Sequence, residues 1–290
     1  MGFFNKIFKN KIEESGENNY GKPDYHKKSR KPVRRVIALA NQKGGVGKST
    51  TAVNVSAYLG HYGFKTLMID LDPQSNSTSG LGISPDSERN CVYDILISDV
   101  NPEEVILGTP YHNLKVIPSS IQLAGAEVEL VTRLKREFRL KEAISKIEDS
   151  YDFMIIDCPP ALGLLTINAL TAASEVIIPI QCEYYALEGL GQLINTIELV
   201  KENLNEDLIV AGVVMTMYDS RTKLSGQVIE EVKKHFSEKV YEAIIPRNVR
   251  LSEAPSYGKP IMLYNPECKG ALAYKSLTEE VIKNGKKGIR

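Results

Sequence analysis

Three things are scarce in this chain: paired cysteines, long apolar runs and an excess of either charge. Its four cysteines, Cys91, Cys158, Cys182 and Cys268, are scattered through 290 residues. None forms a C-x-x-C pair, which argues against a zinc site or a disulfide framework and predicts a reducing, cytoplasmic setting. No apolar stretch approaches the length that spans a bilayer, and no secretory leader pattern is found. Lysine plus arginine and aspartate plus glutamate both number 36. Any nucleic-acid surface must then be a local patch.

What is present is organised. From Arg35 onward apolar runs alternate with helical stretches, the pattern of an α/β fold with a doubly wound, mostly parallel sheet flanked by helices. Strands are expected at Val36–Ala40, Lys65–Asp70, Leu114–Pro118, Phe153–Asp157, Glu175–Ile180, Leu208–Thr216 and Tyr241–Ile245. Helices are expected at 49–60, 135–149, 162–172, 186–203, 222–236 and 271–284. The length suits one such domain, residues 34–290, with an arm of residues 1–33 before it. The arm opens with Phe4, Ile7 and Phe8 on one helical face among lysines. Residues 13–32 are polar and lack periodicity, as a flexible linker would. Seven lysines and arginines and one acid, Asp24, lie between Lys22 and Arg35. The apolar stripe could meet a membrane surface or a partner, pack on its own domain, or fray. Lys6 stands where a myristoylation pattern needs serine or threonine.

The chemistry starts at Lys43-Gly44-Gly45-Val46-Gly47-Lys48-Ser49-Thr50. The Gly-Lys-Ser end fits a loop whose backbone N–H groups wrap phosphates while a lysine reaches the outer ones. An apolar run precedes it and a helical stretch follows, so the helix dipole would face the same anion. The ordinary loop has glycine where Gln42 stands; here Lys43 and Gly44-Gly45 replace it. Asp70 and Asp72 end the second apolar run, at the sheet edge where ligands bind in parallel α/β folds. Asp157 ends another, the place of the acid that holds Mg²⁺ beside a phosphate loop, with Ser49 as hydroxyl ligand. Cys158, next to it, reads as a small buried apolar residue.

Several segments together resemble the deviant Walker ATPases of the ParA/MinD group. They are the loop, Asp70-Leu71-Asp72-Pro73-Gln74 and Asp157-Cys158-Pro159-Pro160. Three more resemble the Soj branch of that group. These are Gln181-Cys182-Glu183-Tyr184-Tyr185-Ala186-Leu187-Glu188-Gly189, Met217-Tyr218-Asp219-Ser220-Arg221-Thr222, and Ile245-Pro246-Arg247-Asn248-Val249-Arg250-Leu251-Ser252-Glu253-Ala254-Pro255-Ser256. The resemblance runs from about Arg35 to about Val281. It implies a P-loop ATPase that uses ATP and Mg²⁺. Lys48 would hold the β and γ phosphates, and Lys43 would cross a dimer interface to the partner's nucleotide. Asp72 would serve hydrolysis, Asp70 the magnesium side, and Pro246 and Asn248 the adenine. Arg221 and Arg250 fall at the family's DNA-binding arginines, and Arg247 lies in the same segment. The resemblance further implies an ATP-bound homodimer on double-stranded DNA without sequence preference, a nucleoid location, and a ParB-type partner that stimulates slow hydrolysis.

Other readings are a MinD-like membrane-cycling division regulator, an iron-sulfur carrier of the nitrogenase iron-protein kind and a tyrosine-kinase relative. Residues 281–288 make a poor membrane helix, Cys158 and Cys182 fall inside ParA-type motifs, and no tyrosine cluster ends the sequence.

Overall fold

The computed structural model describes residues 34–86, 89–183, 188–236 and 239–284. The N-terminal arm, with its expected apolar stripe and linker, lies outside the described residues.

Among the described residues seven strands form one sheet: β1 (Arg35–Leu39), β2 (Thr66–Asp70), β3 (Leu107–Gly108), β4 (Leu114–Ile117), β5 (Phe153–Asp157), β6 (Glu175–Gln181) and β7 (Ile209–Thr216). Their order is β3-β4-β2-β5-β1-β6-β7. All neighbours are parallel except β3 and β4. Parallel strands covered on both faces read as unbroken apolar runs, which is why β1, β2 and β5 are legible as sequence. Side chains still alternate across the sheet. Ile37, Leu39, Phe153 and Ile155 join the core on one face; Ala38, Met154 and Ile156 join the core on the other.

The first face is covered by α1 (Lys48–His61) and a helix near the end of the described chain, Lys269–Asn284. Between α1 and that helix come α2 (Asn76–Gly80), α3 (Val92–Ser98), α4 (Pro102–Val105), α5 (Leu123–Glu129), α6 (Arg139–Ile144), α7 (Leu164–Ala172), α8 (Glu188–Asn203), α9 (Lys223–Phe236), α10 (Val249–Glu253) and α11 (Ile261–Tyr264). The last helix is therefore α12. Residues of α3, α5, α6, α7, α8 and α9 cover the second face. Helix α1 lies so close to the chain before β4 that a Cβ on Gly60 would sit 2.5 Å from the His112 carbonyl. Only glycine permits that approach.

Three departures from the sequence pattern have physical causes. The run Tyr241–Ile245 is not a strand. It lies beside β7, where the Tyr241 and Ile245 N–H groups donate to the Val213 and Met215 carbonyls at 2.9 and 2.8 Å, and isolated bridges flank it, Val240 to Val213 and Pro246 to Tyr218. The N–H groups of Glu242 and Ala243 donate to the Glu280 carboxylate of α12 at 2.8 and 2.7 Å, so they are lost to a ladder. The expected helix 135–149 shrinks to α6, with a 3₁₀ turn at Glu148–Ser150. Lys135, at φ 52°, is left-handed and cannot open a helix. Strand β3 and helices α2 to α5, α10 and α11 are too short to impose a readable period.

The topology decides where the chemistry collects. From β1 the chain crosses to β2 on one side, while β6 and β7 extend the sheet on the other. A crevice opens outside the carboxyl ends of the strands where that order reverses. The loop after β1, Asp70 of β2, Asp157 of β5 and Thr216 of β7 all meet there.

Candidate nucleotide site

The loop between β1 and α1 is held in shape by side chains distant in sequence. Buried Asn41 donates through Nδ2 to the Pro179 carbonyl of β6 at 2.7 Å, and its Oδ1 accepts the Lys43 N–H at 2.9 Å. Thr216 Oγ1, at the end of β7, donates to the Val46 carbonyl at 2.7 Å. Gly47 caps α1 at φ 91°, where a side chain would be strained. The loop thus opens directly into the N-terminus of a 14-residue helix with no acid in its first turn. Unpaired N–H groups and the helix dipole make that end favourable for an anion.

The two loop lysines have separate surroundings. Lys48 is buried, with Nζ 3.1 Å from the Lys43 carbonyl. Burial lowers its pKa, while Asp157 opposes the shift more than the other charges do. Lys43 keeps 37% of its side chain exposed and turns to Glu183, with Nζ to Oε2 at 3.5 Å.

Opposite the loop stand three acids. Asp70 and Asp157 face each other in register across β2 and β5, and both are fully buried. Asp70 is internally occupied: Oδ1 accepts the Asp72 N–H at 3.1 Å, and Oδ2 accepts the Thr78 N–H and Oγ1 at 2.8 and 2.7 Å. Asp157 Oδ2 accepts Ser77 Oγ at 2.6 Å, whereas Oδ1 is buried with no hydrogen-bond partner. Burial raises the pKa of both carboxyls, and the Asp157 charge pushes Asp70 further up. The Ser77 hydroxyl, and after it the Ser49 hydroxyl, pull Asp157 the other way. Asp72 is 6% exposed, and its Oδ1 accepts the Gln74 N–H at 2.9 Å.

These residues fit Mg²⁺. A buried carboxylate oxygen without a partner, beside a serine hydroxyl at a phosphate loop, is a donor set for an ion that takes few protein ligands and completes its octahedron with phosphate and water. Among the described residues no cluster of three or more His, Cys, Asp or Glu could hold a metal by itself. Asp157 offers the open oxygen, while both oxygens of Asp70 are engaged in holding the loop of Asp72 and Thr78.

The C-terminal motif reaches the same crevice. Tyr218 donates to the Ile245 carbonyl at 3.0 Å and accepts the Arg247 N–H at 2.9 Å, which brings Pro246 beside the continuation of β7. Asn248 caps α10, accepting the Arg250 N–H at 2.8 Å. The three arginines are surface groups, each paired with an acid. Arg221, 84% exposed, forks onto Asp219 at 2.9 and 2.6 Å and holds that carboxyl far below its usual range. Arg250 meets Glu253 at 2.8 Å, and Arg247 meets Glu183 at 3.5 Å. The backbone pairing of Tyr218 with Ile245 and Arg247 makes the two arginine segments neighbours. Cys158 and Cys182 are buried, and burial raises both thiols, Cys182 to about 12.

Sequence reasoning missed Asn41, Ser77, Thr78 and Thr216. Nothing marks them locally, since their partners lie far along the chain.

Comparison with known proteins decides the lineage. A family model described as an AAA domain matches residues 34–210. Over 251 residues the chain is 59% identical to the sporulation initiation inhibitor protein Soj of Bacillus subtilis, covering 87% of this chain and 99% of that one. This chain belongs to the Soj/ParA family of P-loop ATPases. A second Soj/ParA relative, the chromosome partitioning protein ParA of Myxococcus xanthus, is 52% identical, with 87% of this chain and 89% of that one covered. Among solved structures, one of cobyrinic acid a,c-diamide synthase from Mycobacterium smegmatis, with a bound ATP analogue and magnesium, superimposes with a TM-score of 0.78 at 40% identity. It covers 88% of this chain and 97% of that one. With such relatives the MinD-like alternative is the less supported. No helix among the described residues is long and apolar enough to cross a membrane.

Proposed function

We propose that this chain is an ATP-driven DNA partition protein whose ATP-bound homodimer holds DNA without sequence preference. The observation that carries the reading is the division between its two loop lysines. Lys48 is already buried against its own loop, while Lys43 projects from the rim toward Glu183. A cation left partly exposed at the rim supports a role toward a nucleotide bound by a second copy.

In this reading the N–H groups of Lys43 to Thr50 cradle ATP, and Lys48 neutralises its outer phosphates. Ser49 and the open oxygen of Asp157 would hold Mg²⁺, whose charge would offset the charge that develops on the phosphates. Asp70 fixes the backbone of Asp72, and Asp72 positions the attacking water. Pro246 and Asn248 border the adenine. Lys43 completes the neutralisation only across a dimer, so ATP favours the dimer and loss of the γ phosphate weakens it. Hydrolysis by the lone protein is slow; a ParB-type centromere-binding partner accelerates it and releases the dimer from DNA.

Arg221, Arg247 and Arg250 supply phosphate contacts without base readout. Six arginines per dimer would give a log affinity falling with log salt at a slope of at most about −5. The protein would accordingly sit on the nucleoid. The decisive measurement is retention of the purified protein on DNA and on anionic liposomes with no nucleotide, ADP or ATP. Retention on DNA with ATP alone is expected. ATP-dependent binding to liposomes without DNA retention would overturn the reading in favour of the MinD-like one.

A further inference from the structure

Glu183 stands between the nucleotide loop and the arginine segment, and the proposed ATPase cycle leaves it without a role. Its Oε2 lies 3.5 Å from Lys43 Nζ and its Oε1 3.5 Å from Arg247 Nη2. Gln181 Nε2, at the end of β6, donates to the same Oε1 at 2.6 Å, and the Glu183 N–H donates to the Gln181 carbonyl at 2.8 Å. One carboxylate is thus anchored to the sheet and shared by two cations, each of which would otherwise face phosphate. A carboxylate and a phosphate present similar oxygen pairs to lysine and arginine. The three charged side chains are 37% (Lys43), 45% (Glu183) and 59% (Arg247) exposed. At such exposure a single pair moves an equilibrium by only about two- to five-fold. That is weak enough for exchange with incoming anions, whereas a buried pair would resist it.

We infer that Glu183 is a positioning residue, an internal counter-ion that holds Lys43 and Arg247 in place until a triphosphate on a second copy takes the first and DNA phosphate takes the second. The inference rests on the reading that Lys43 serves a partner's nucleotide and Arg247 meets DNA. It gives the nucleotide-free protein a restraint against premature dimerisation and DNA capture.

The test uses the full chain and Glu183→Gln, which keeps shape and the hydrogen bond from Gln181 but removes the charge. Three quantities are read: the ATP concentration for half-maximal dimerisation by sedimentation, DNA retention without nucleotide, and the melting temperature. The ATP midpoint should fall about two- to five-fold, and DNA retention should rise by a similar factor. The melting temperature should not move. The gain on DNA should vanish in the Glu183→Gln/Arg247→Ala double variant. Glu183→Asp, which keeps the charge but retracts it, should shift both quantities less, in the same direction. Glu253→Gln frees Arg250 alone and should raise DNA retention while leaving the ATP midpoint in place. If the wild type dimerises with ATP and binds DNA but Glu183→Gln matches it in both, the counter-ion role is wrong and the functional reading stands. If the wild type does neither, the functional reading fails and the inference with it. A fall in melting temperature with weaker dimerisation would make Glu183 a merely structural residue.

Discussion

The phosphate loop with its acids and the arginine surface are built on opposite principles. Around the loop, Lys48, Asp70, Asp72 and Asp157 are buried, and their geometry is over-determined by Asn41, Ser77, Thr78 and Thr216. On the arginine surface every candidate contact is exposed and matched to a nearby acid: Arg221 to Asp219, Arg247 to Glu183, Arg250 to Glu253. The first arrangement is pre-organised, as charge stabilisation during phosphoryl transfer requires. The second is exchangeable. Its ion pairs are weak in water and can give way to a phosphate backbone. A chain with no net charge can thus present a local group of exposed arginines, each matched to a neighbouring acid.

The contrast can be broken most severely at the buried side. Lys48→Ala should lower ATP turnover by about 10²–10³-fold while the protein still melts cooperatively. Steady-state phosphate release checks this. Asp72→Ala should reduce turnover comparably yet retain ATP binding, trapping the dimer on DNA; normal hydrolysis would remove Asp72 from the mechanism. In the sheet beneath, Ile155→Ala should cost about 2–5 kcal/mol of stability, read by urea titration, since Ile155 is fully buried on the central strand β5. On the arginine side the effect is smaller. Arg250→Glu should weaken DNA retention about ten-fold at moderate salt and flatten the salt slope by about 2 per dimer, sparing ATP-dependent dimerisation.

The smallest effect is on pH. Asp70 and Asp157 have pKa values raised by burial, so the folded protein binds more protons than the unfolded chain above the ordinary carboxylate range of about 4. Stability of the nucleotide-free protein should therefore fall as pH climbs from that value toward neutrality. Asp157→Asn should flatten the dependence in thermal melts. An unchanged slope would mean that Asp157 ionises in the fold as readily as in the unfolded chain.

Much of the buried side is legible in the amino-acid sequence. Lys43 to Thr50 announce themselves because a backbone that wraps phosphate needs glycines at fixed offsets, such as Gly47 at φ 91°. Asp70 and Asp157 stand out because parallel strands are apolar until they end at the ligand edge. The segment 241–245 misleads because an apolar run says nothing about who accepts its N–H groups, and Glu280 of α12 claims two of them. Residues 1–33 carry a pattern but lie outside the described residues, so their division from the domain rests on composition alone.

The chain's own order of residues, then, settled the loop, the acids at the strand ends and the family, since each depends on local backbone geometry or on a contiguous motif. Tertiary structure alone decided how those groups are set. Asn41 finds Pro179 138 residues away, Val46 meets Thr216 across 170, and Asp157 meets Ser77 across 80. It also decided that Glu183 stands between Lys43 and Arg247, because β6 ends beside both the loop after β1 and the chain that follows β7. Contacts of that kind follow from strand order and packing, and no local pattern encodes them.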